Sequence, residues 1–396
     1  MSASTDLAPA AEAILARASR ALVPDHADLV DGLEHLNRLR RSVERGNPGQ
    51  IMLLTGESGS GKTTLVRWFI EQERGRIRHE TGRSAGIGFD GLVLSDGPSG
   101  DERPIVYVSV PSTQSQSALA AAILRAYGAQ APDQLRKHQI LGRLRAQIVG
   151  QKTKVLILDE FHHCVDEDRD RVVKDLSELV KDLLVSTKVH IVIAGMGLAS
   201  KPVDRSTQLN RRCKVRFPLA PFGWGESGAE QEEFRSFLRG WEAAMDLPEP
   251  SYLDDPARAA RIHRATGGLI GFSARLVLNA LEYGLERGIA RIDDHFLAHV
   301  YDETSLPGDA TNPFREVLVG YEEAQLEPVG ERLVEREAAD TDSAGGRDRR
   351  AVSAGNPRGK AERGHAEKAW SCPSMRWKFG VELERPSVRR PEVELL

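Results

Sequence analysis

The sequence predicts an α/β fold: a parallel sheet flanked by helices, with a small C-terminal helical lid domain after it. Three observations carry this prediction. A glycine-rich loop joins an apolar run to an amphipathic helix near residue 60. A later apolar run stops abruptly at two adjacent carboxylates. Strand-like and helix-like runs alternate from residue 51 to residue 220, and helices alone continue from there.

The loop is Gly56-Glu57-Ser58-Gly59-Ser60-Gly61-Lys62-Thr63, which matches G-x-x-x-x-G-K-[ST] at every specified position. Ile51-Met52-Leu53-Leu54 before it reads as a buried strand, and Thr64 to Ile70 after it reads as a helix. Glycines let the backbone turn its N–H groups inward around phosphates, and the following helix N-terminus adds partial positive charge. The pattern therefore points to ATP held by Gly56 through Thr64. Lys62 would face the β- and γ-phosphates, and the Thr63 hydroxyl would ligate Mg²⁺.

The second run, Lys154-Val155-Leu156-Ile157-Leu158-Asp159-Glu160, reads as a buried strand with both acids at its carboxyl end. In a parallel sheet that end lies beside the phosphate loop. Asp159 is placed to hold Mg²⁺, and Glu160 to polarise an attacking water. A kinase that phosphorylates a substrate hydroxyl has no use for the second acid, so the pair points to an ATPase.

The 396 residues are enough for a core domain, a smaller second domain and flexible ends. Lys+Arg 54 against Asp+Glu 58 gives a net charge of -4, so the chain as a whole is no obvious polyanion binder. A local basic lining can still meet nucleic acid. Cys164, Cys213 and Cys372 are too widely spaced for a disulfide framework or zinc site and fit a reducing cytoplasm. No run has the length of a membrane span, and Asp6, Glu12, Arg17 and Arg20 interrupt any signal-peptide core.

In chain order, residues 1–48 read as a polar-faced helical segment in which Arg38-Leu39-Arg40-Arg41 forms a solvated basic face. Residues 49–221 form the nucleotide-binding core. Within it, Arg74–Arg103 reads as an exposed insertion, Ile105–Val110 as a strand, and Ser117–Tyr127 and Leu135–Ile148 as helices. Asp168–Leu184 is a helix with an apolar stripe, and Val189–Ala194 and Val215–Leu219 are the last strands. Residues 222–314 form the helical domain, with helices over Glu232–Met245, Asp255–Thr266, Ile270–Arg287 and Asp293–Tyr301. Residues 315–396 are rich in Glu, Arg, Gly, Ser and Pro and read as a largely disordered tail.

A phosphate loop, an Asp-Glu strand, a following bare strand and a helical lid together resemble an AAA+ ATPase. More narrowly, residues 30 to 314 are similar to the TniB family of transposition ATPases, related to TnsC and MuB. The likeness runs through Ile157-Leu158-Asp159-Glu160-Phe161-His162-His163, Ile193-Ala194-Gly195-Met196, Gln208-Leu209-Asn210-Arg211-Arg212, Leu247-Pro248-Glu249-Pro250-Ser251, Gly267-Gly268-Leu269-Ile270-Gly271 and Asn312-Pro313-Phe314. The resemblance implies an ATP-loaded homo-oligomer, a hexameric ring or a helical filament. It would assemble on double-stranded target DNA and recruit and activate a DDE-type transposase. A signalling or defence NTPase and a replication-initiator or helicase-loader-like protein are the alternative classes.

The resemblance also assigns roles. Arg211 or Arg212, with Arg212 preferred, would reach the γ-phosphate of a neighbouring subunit. Arg275 would sense the phosphates from the lid. Ser112, Thr113, Gln114 and Lys137, after the second strand, would line an axial channel and meet DNA phosphates. The strand ending in Ala194-Gly195 lacks the polar residue that many AAA+ proteins use to orient the lytic water, so slow turnover is expected. His162, His163 and Cys164 suggest a metal, but none is expected because adjacent residues rarely converge on one tetrahedral ion.

Overall fold

The computed structural model describes residues 9–20, 27–88, 91–94, 101–112, 115–130, 132, 135–165, 170–225, 228–304 and 311–315. Apolar runs too short for helices become five parallel strands: β1 (Ile51–Thr55), β4 (Glu102–Ser109), β5 (Val155–Asp159), β6 (His190–Gly195) and β7 (Cys213–Pro218). With β2 (Gly86–Gly88) and β3 (Gly91–Leu94), the sheet order is β2-β3-β4-β5-β6-β1-β7. One strand, β6, therefore separates the loop-bearing β1 from the Asp-Glu strand β5.

Two corrections apply to the stretch expected as an exposed insertion. The helix after the loop, α3 (Lys62–Thr81), runs well into it and buries Glu73 and Ile77. Beyond that helix, β2 and β3 pair antiparallel with each other and with β4, so the sheet is mixed rather than wholly parallel. Leu92 and Leu94 bury this edge, and Gly91 is obligatory at φ +109 because a Cβ there would lie 2.4 Å from the Ile105 carbonyl oxygen.

Strand periodicity divides the core between the two faces of the sheet. Ile51, Leu53, Leu156, Leu158, Ile191 and Ile193 point to the face covered by α4 (Gln116–Ala126), α5 (Lys137–Gly150) and α6 (Asp170–Ser186). Met52, Leu54, Val155, Ile157, Val192 and Ala194 point to the other, under α2 (Ala27–Glu44) and α3. The α6 stripe is Val173, Leu176, Leu179, Val180 and Leu183, as its spacing predicts.

The basic cluster on α2 is not a uniform solvated face. Arg38 and Arg41 are exposed, whereas Leu39 and Arg40 are buried. Arg40 Nε lies 2.8 Å from the buried Glu73 carboxylate, which Arg76 also pairs at 2.9 Å. Preceding it, α1 (Pro9–Arg20) packs on two C-terminal helices, α9 (Ala229–Met245) and α11 (Ile270–Leu285), and Arg17 Nε donates to the Met245 carbonyl at 3.1 Å.

Two short helices, α7 (Lys201–Asp204) and α8 (Thr207–Arg212), lead into β7. After β7, among the described residues, only helices follow: α9 (Ala229–Met245), α10 (Pro256–Thr266), α11 (Ile270–Leu285) and α12 (Asp294–Thr304). Phe222, Trp224, Phe234, Phe237 and Trp241 form their aromatic core with His263. Thr113, Gln114 and the expected tail from residue 316 lie outside the described residues. Among the described residues, no helix is long and apolar enough to cross a membrane.

Candidate nucleotide site

The loop after β1 has the backbone that its glycines predict. Gly59 sits at φ +80 and Gly61 at φ +101, and a Cβ on Gly56 would lie 2.4 Å from the Leu219 carbonyl oxygen. Gly61 begins α3 without a side-chain cap, so the first amides of the helix look into the loop unopposed by their own N-cap. Lys62 is buried, and its Nζ donates to the Gly56 and Glu57 carbonyls at 2.9 and 2.6 Å. Burial lowers the Lys62 pKa, against the opposing pull of Glu160, Asp159 and Glu57. An ammonium tied only to its own loop, beneath uncapped amides, fits an anionic ligand.

Asp159 ends β5 with no exposed surface. Its Oδ2 accepts from the Thr63 hydroxyl at 2.7 Å and from the Tyr107 hydroxyl at 2.9 Å, and its Oδ1 accepts from the Glu160 amide at 2.9 Å. The sequence places Thr63 and Asp159 far apart; the fold brings a hydroxyl and a carboxylate into contact. Such paired hard oxygens suit Mg²⁺. Tyr107, on β4, is the participant that sequence reasoning missed, since a lone phenol in an apolar strand carries no motif. Burial, and then Asp159, raise its pKa well above the ordinary range.

Glu160 adopts the left-handed conformation, φ 55 and ψ 32, which turns its side chain out of the strand line and caps a short 3-10 helix over Phe161–Cys164. Its Oε2 lies 3.5 Å from His162 Nε2 and 3.5 Å from His163 Nε2. A hydrogen bond from His163, then the nearness of His162 and Lys62, hold its carboxyl below the usual range against the effect of burial. Cys164, expected beside the two histidines, is not part of the cluster; instead one ligand atom from each of Glu160, His162 and His163 lies within 4.8 Å of the others. The 3-10 helix stacks the two imidazole rings with centroids 4.2 Å apart. His162 Nδ1, however, accepts from the Met196 amide at 3.3 Å, which leaves the proton of the neutral ring on Nε2. That nitrogen faces Glu160 as a donor rather than as a metal ligand.

The N-terminus of α11 rests on the loop. The Gly271 amide donates to the Gly59 carbonyl at 2.7 Å, and a Cβ on Gly59 would meet the Phe272 ring at 3.2 Å. Arg275 is exposed, one turn further on, with its guanidinium 5.0 Å from the Phe272 ring centroid. Arg211 and Arg212 end α8 at the opposite edge of the sheet. There Arg212 donates to the Gly49 carbonyl at 3.1 Å, while Arg211 is exposed. Five residues of β1, at about 3.3 Å each, separate that edge from the loop, so neither arginine can reach the phosphates of its own subunit. Both line a cavity of about 380 Å³ with Lys181 and Lys214.

Of the residues expected at DNA, Ser112 is exposed beyond the end of β4, and Lys137 is exposed at the start of α5. The far end of α5 lies near the start of β4, where the Arg103 amide bonds the Gln151 carbonyl at 2.8 Å. Fourteen helical residues at about 1.5 Å each carry Lys137 back toward the edge that holds the loop.

Residues 45–200 match the AAA domain family. The AAA domain thus covers β1 to β6 and contains the loop, Asp159 and Glu160. No curated protein matches the sequence. Among solved structures, Cdc6p from Pyrobaculum aerophilum is 17% identical at a TM-score of 0.50, over 74% of this chain and 70% of its own. The ORC1 protein of Aeropyrum pernix, solved in complex with DNA, is 19% identical at a TM-score of 0.50, over 71% of this chain and 66% of its own. At these identities the likeness is one of fold. The fold is that of an AAA+ P-loop ATPase, with helices behind the AAA domain, and it supports nucleotide hydrolysis in general.

Proposed function

We propose that this protein is an ATP-dependent switch that assembles on duplex DNA and regulates DNA transposition by recruiting a DDE-type transposase. The observation that carries the ATPase part is the 2.7 Å bond between Thr63 and Asp159, with Glu160 next along the chain. Gly56 through Thr64 would bind the triphosphate of ATP, and Lys62 would swing from the Gly56 and Glu57 carbonyls to the β- and γ-phosphates. Thr63 and Asp159 would hold Mg²⁺, which when bound neutralises charge on the phosphate oxygens. The Glu160 carboxylate, kept ionised by its imidazole neighbours, would take the proton of the attacking water.

The exposed Arg211 is better suited than Arg212 to act on a neighbouring subunit, because Arg212 already serves the Gly49 carbonyl. A head-to-tail interface of this kind repeats into a ring or a filament. Arg275, carried by a helix docked on the loop, would report the phosphate state to α11. The transposition assignment rests on the order of the TniB-like segments along the chain. A second reading, a replication-initiator-like protein, is favoured by the fold likeness to Cdc6p and the DNA-bound ORC1 protein.

The test is binding to duplexes of unrelated sequence with and without ATP, followed by capture of a purified DDE transposase by the DNA-bound protein. Binding should need ATP, ignore sequence and weaken with salt. Lys137→Ala should flatten the salt slope by roughly one unit. No ATP-dependent duplex binding would exclude both readings; binding without transposase capture would favour the initiator-like one.

A further inference from the structure

The end of β6 offers no side chain to the site, yet the space there is filled. A Cβ on Gly195 would lie 3.0 Å from His162 Nδ1 and 3.3 Å from its backbone nitrogen. The imidazole of His162, delivered from the turn after β5 and largely buried, thus stands where a polar residue of β6 would project. The peptide unit between Gly195 and Met196 is bonded at both ends. Its carbonyl accepts from the Gly56 amide of the phosphate loop at 3.2 Å, and its N–H donates to His162 Nδ1 at 3.3 Å. The far nitrogen of the same ring, which carries the proton, lies 3.5 Å from the Glu160 carboxylate. Two hydrogen bonds therefore link the Gly56 amide through a single peptide plane to a single imidazole, whose far nitrogen stands 3.5 Å from Glu160. Polar groups linked in this way polarise and orient one another.

We propose that His162 is a positioning residue for hydrolysis: it orients the Glu160 carboxylate and couples that orientation to the state of the phosphate loop. The proposal rests on the reading that Glu160 activates water. A shift of Gly56 when phosphate enters the loop would move the Gly195–Met196 peptide, and the ring would follow, bringing Nε2 from 3.5 Å into hydrogen-bond range of the carboxylate. His163 cannot substitute. Its Nε2 is equally near Glu160, but its side chain is 42% exposed, and the Met196 amide is bonded to His162. Burial lowers the His162 pKa, with His163 second and Glu160 opposing, which keeps the ring neutral and its tautomer defined.

The test compares His162→Ala, His162→Asn, His162→Gln, His163→Ala and Glu160→Gln by steady-state ATP hydrolysis and by fluorescent-ATP titration. Asn keeps an acceptor near the place of Nδ1 but lacks a donor near Nε2; Gln keeps a donor within reach of Glu160. His162→Ala and His162→Asn should lower kcat by about tenfold or more while nucleotide affinity stays within about twofold. His162→Gln should recover part of the rate, and His163→Ala, which removes a hydrogen bond to Glu160 but leaves the link to the Gly195–Met196 peptide intact, should lower it less than His162→Ala does. A wild-type kcat in His162→Ala, or a normal His162→Asn beside a slow His162→Gln, overturns the relay while leaving Glu160 as the base. A wild-type rate in Glu160→Gln overturns the hydrolysis reading itself. Should the alanine variant not fold, ¹⁵N shifts of histidine-labelled wild-type protein decide the matter. The relay requires the Nε2–H tautomer at His162, and an Nδ1–H tautomer contradicts it.

Discussion

Replacing Tyr107 by Phe removes one hydroxyl and almost no volume, so its cost isolates a single hydrogen bond. The hydroxyl donates at 2.9 Å to Asp159, a carboxylate with no exposed surface. Bonds to charged groups contribute about 1.5–3 kcal/mol, and an acceptor left short inside the protein keeps its desolvation penalty. Tyr127→Phe is the matched control, because its hydroxyl meets the neutral hydroxyl of Thr153 at 2.7 Å, also out of solvent. That bond should contribute only about 0.5–1.5 kcal/mol. Urea denaturation of both variants should therefore rank Tyr107→Phe as the more costly. Calorimetry should show it melting roughly 3–12 °C lower, at about 2–4 °C per kcal/mol for a domain of 150–250 residues. A second readout separates site from scaffold: Mg²⁺-dependent ATP affinity should change in Tyr107→Phe and not in Tyr127→Phe. Equal costs, or a larger cost at Tyr127, would refute the claim that Tyr107 supports the buried Asp159 carboxylate.

Glu73→Ala should destabilise the protein by about 1–3 kcal/mol, because it leaves the guanidinium of Arg40, whose side chain is only 11% exposed, with Glu44 as its remaining carboxylate. Arg38→Ala, which breaks a pair with both partners more than half exposed, should cost under about 1 kcal/mol by the same denaturation assay. Cys164 donates its Sγ–H to the Phe161 carbonyl, and burial pushes its thiol up to about 12. Peptide mass spectrometry after iodoacetamide at pH 8 should therefore find it unmodified in native protein and modified after unfolding. Arg211→Ala should bind ATP as a single subunit yet hydrolyse it slowly, and mixing it with Lys62→Ala should restore activity. Arg212→Ala should instead act mainly on stability, through the lost bond to Gly49.

The sequence makes legible those parts of the site that chain-local chemistry dictates. The loop from Gly56 to Thr63 needs its glycines at left-handed or crowded positions, and Gly59, Gly61 and Gly56 occupy such positions. Four-residue apolar runs and a stripe at helical spacing likewise suffice to place β1, β5 and α6. Features that depend on distant partners leave no such mark. Arg40 looks like its exposed neighbours until Glu73 arrives from another helix, and Tyr107 looks like packing until Asp159 is set beside it. The β2–β3 edge was hidden because Gly and charged residues dominate its composition, while only Leu92 and Leu94 carry its burial. The left-handed turn at Glu160 was equally hidden: a glutamate gives no warning of a positive φ, and that turn brings His162 under Gly195. The empty end of β6 was readable; what fills it was not.

The central claim is that Glu160 activates water in a site built by Lys62, Thr63 and Asp159, and Glu160→Gln tests it most directly. Hydrolysis of ATP should fall by about 10²–10⁴-fold, while titration with fluorescent ATP and Mg²⁺ gives an affinity close to that of the wild type. The variant should also stay bound to duplex DNA in ATP after the wild-type protein has released it. A Glu160→Gln protein that hydrolyses ATP at the wild-type rate would contradict the account.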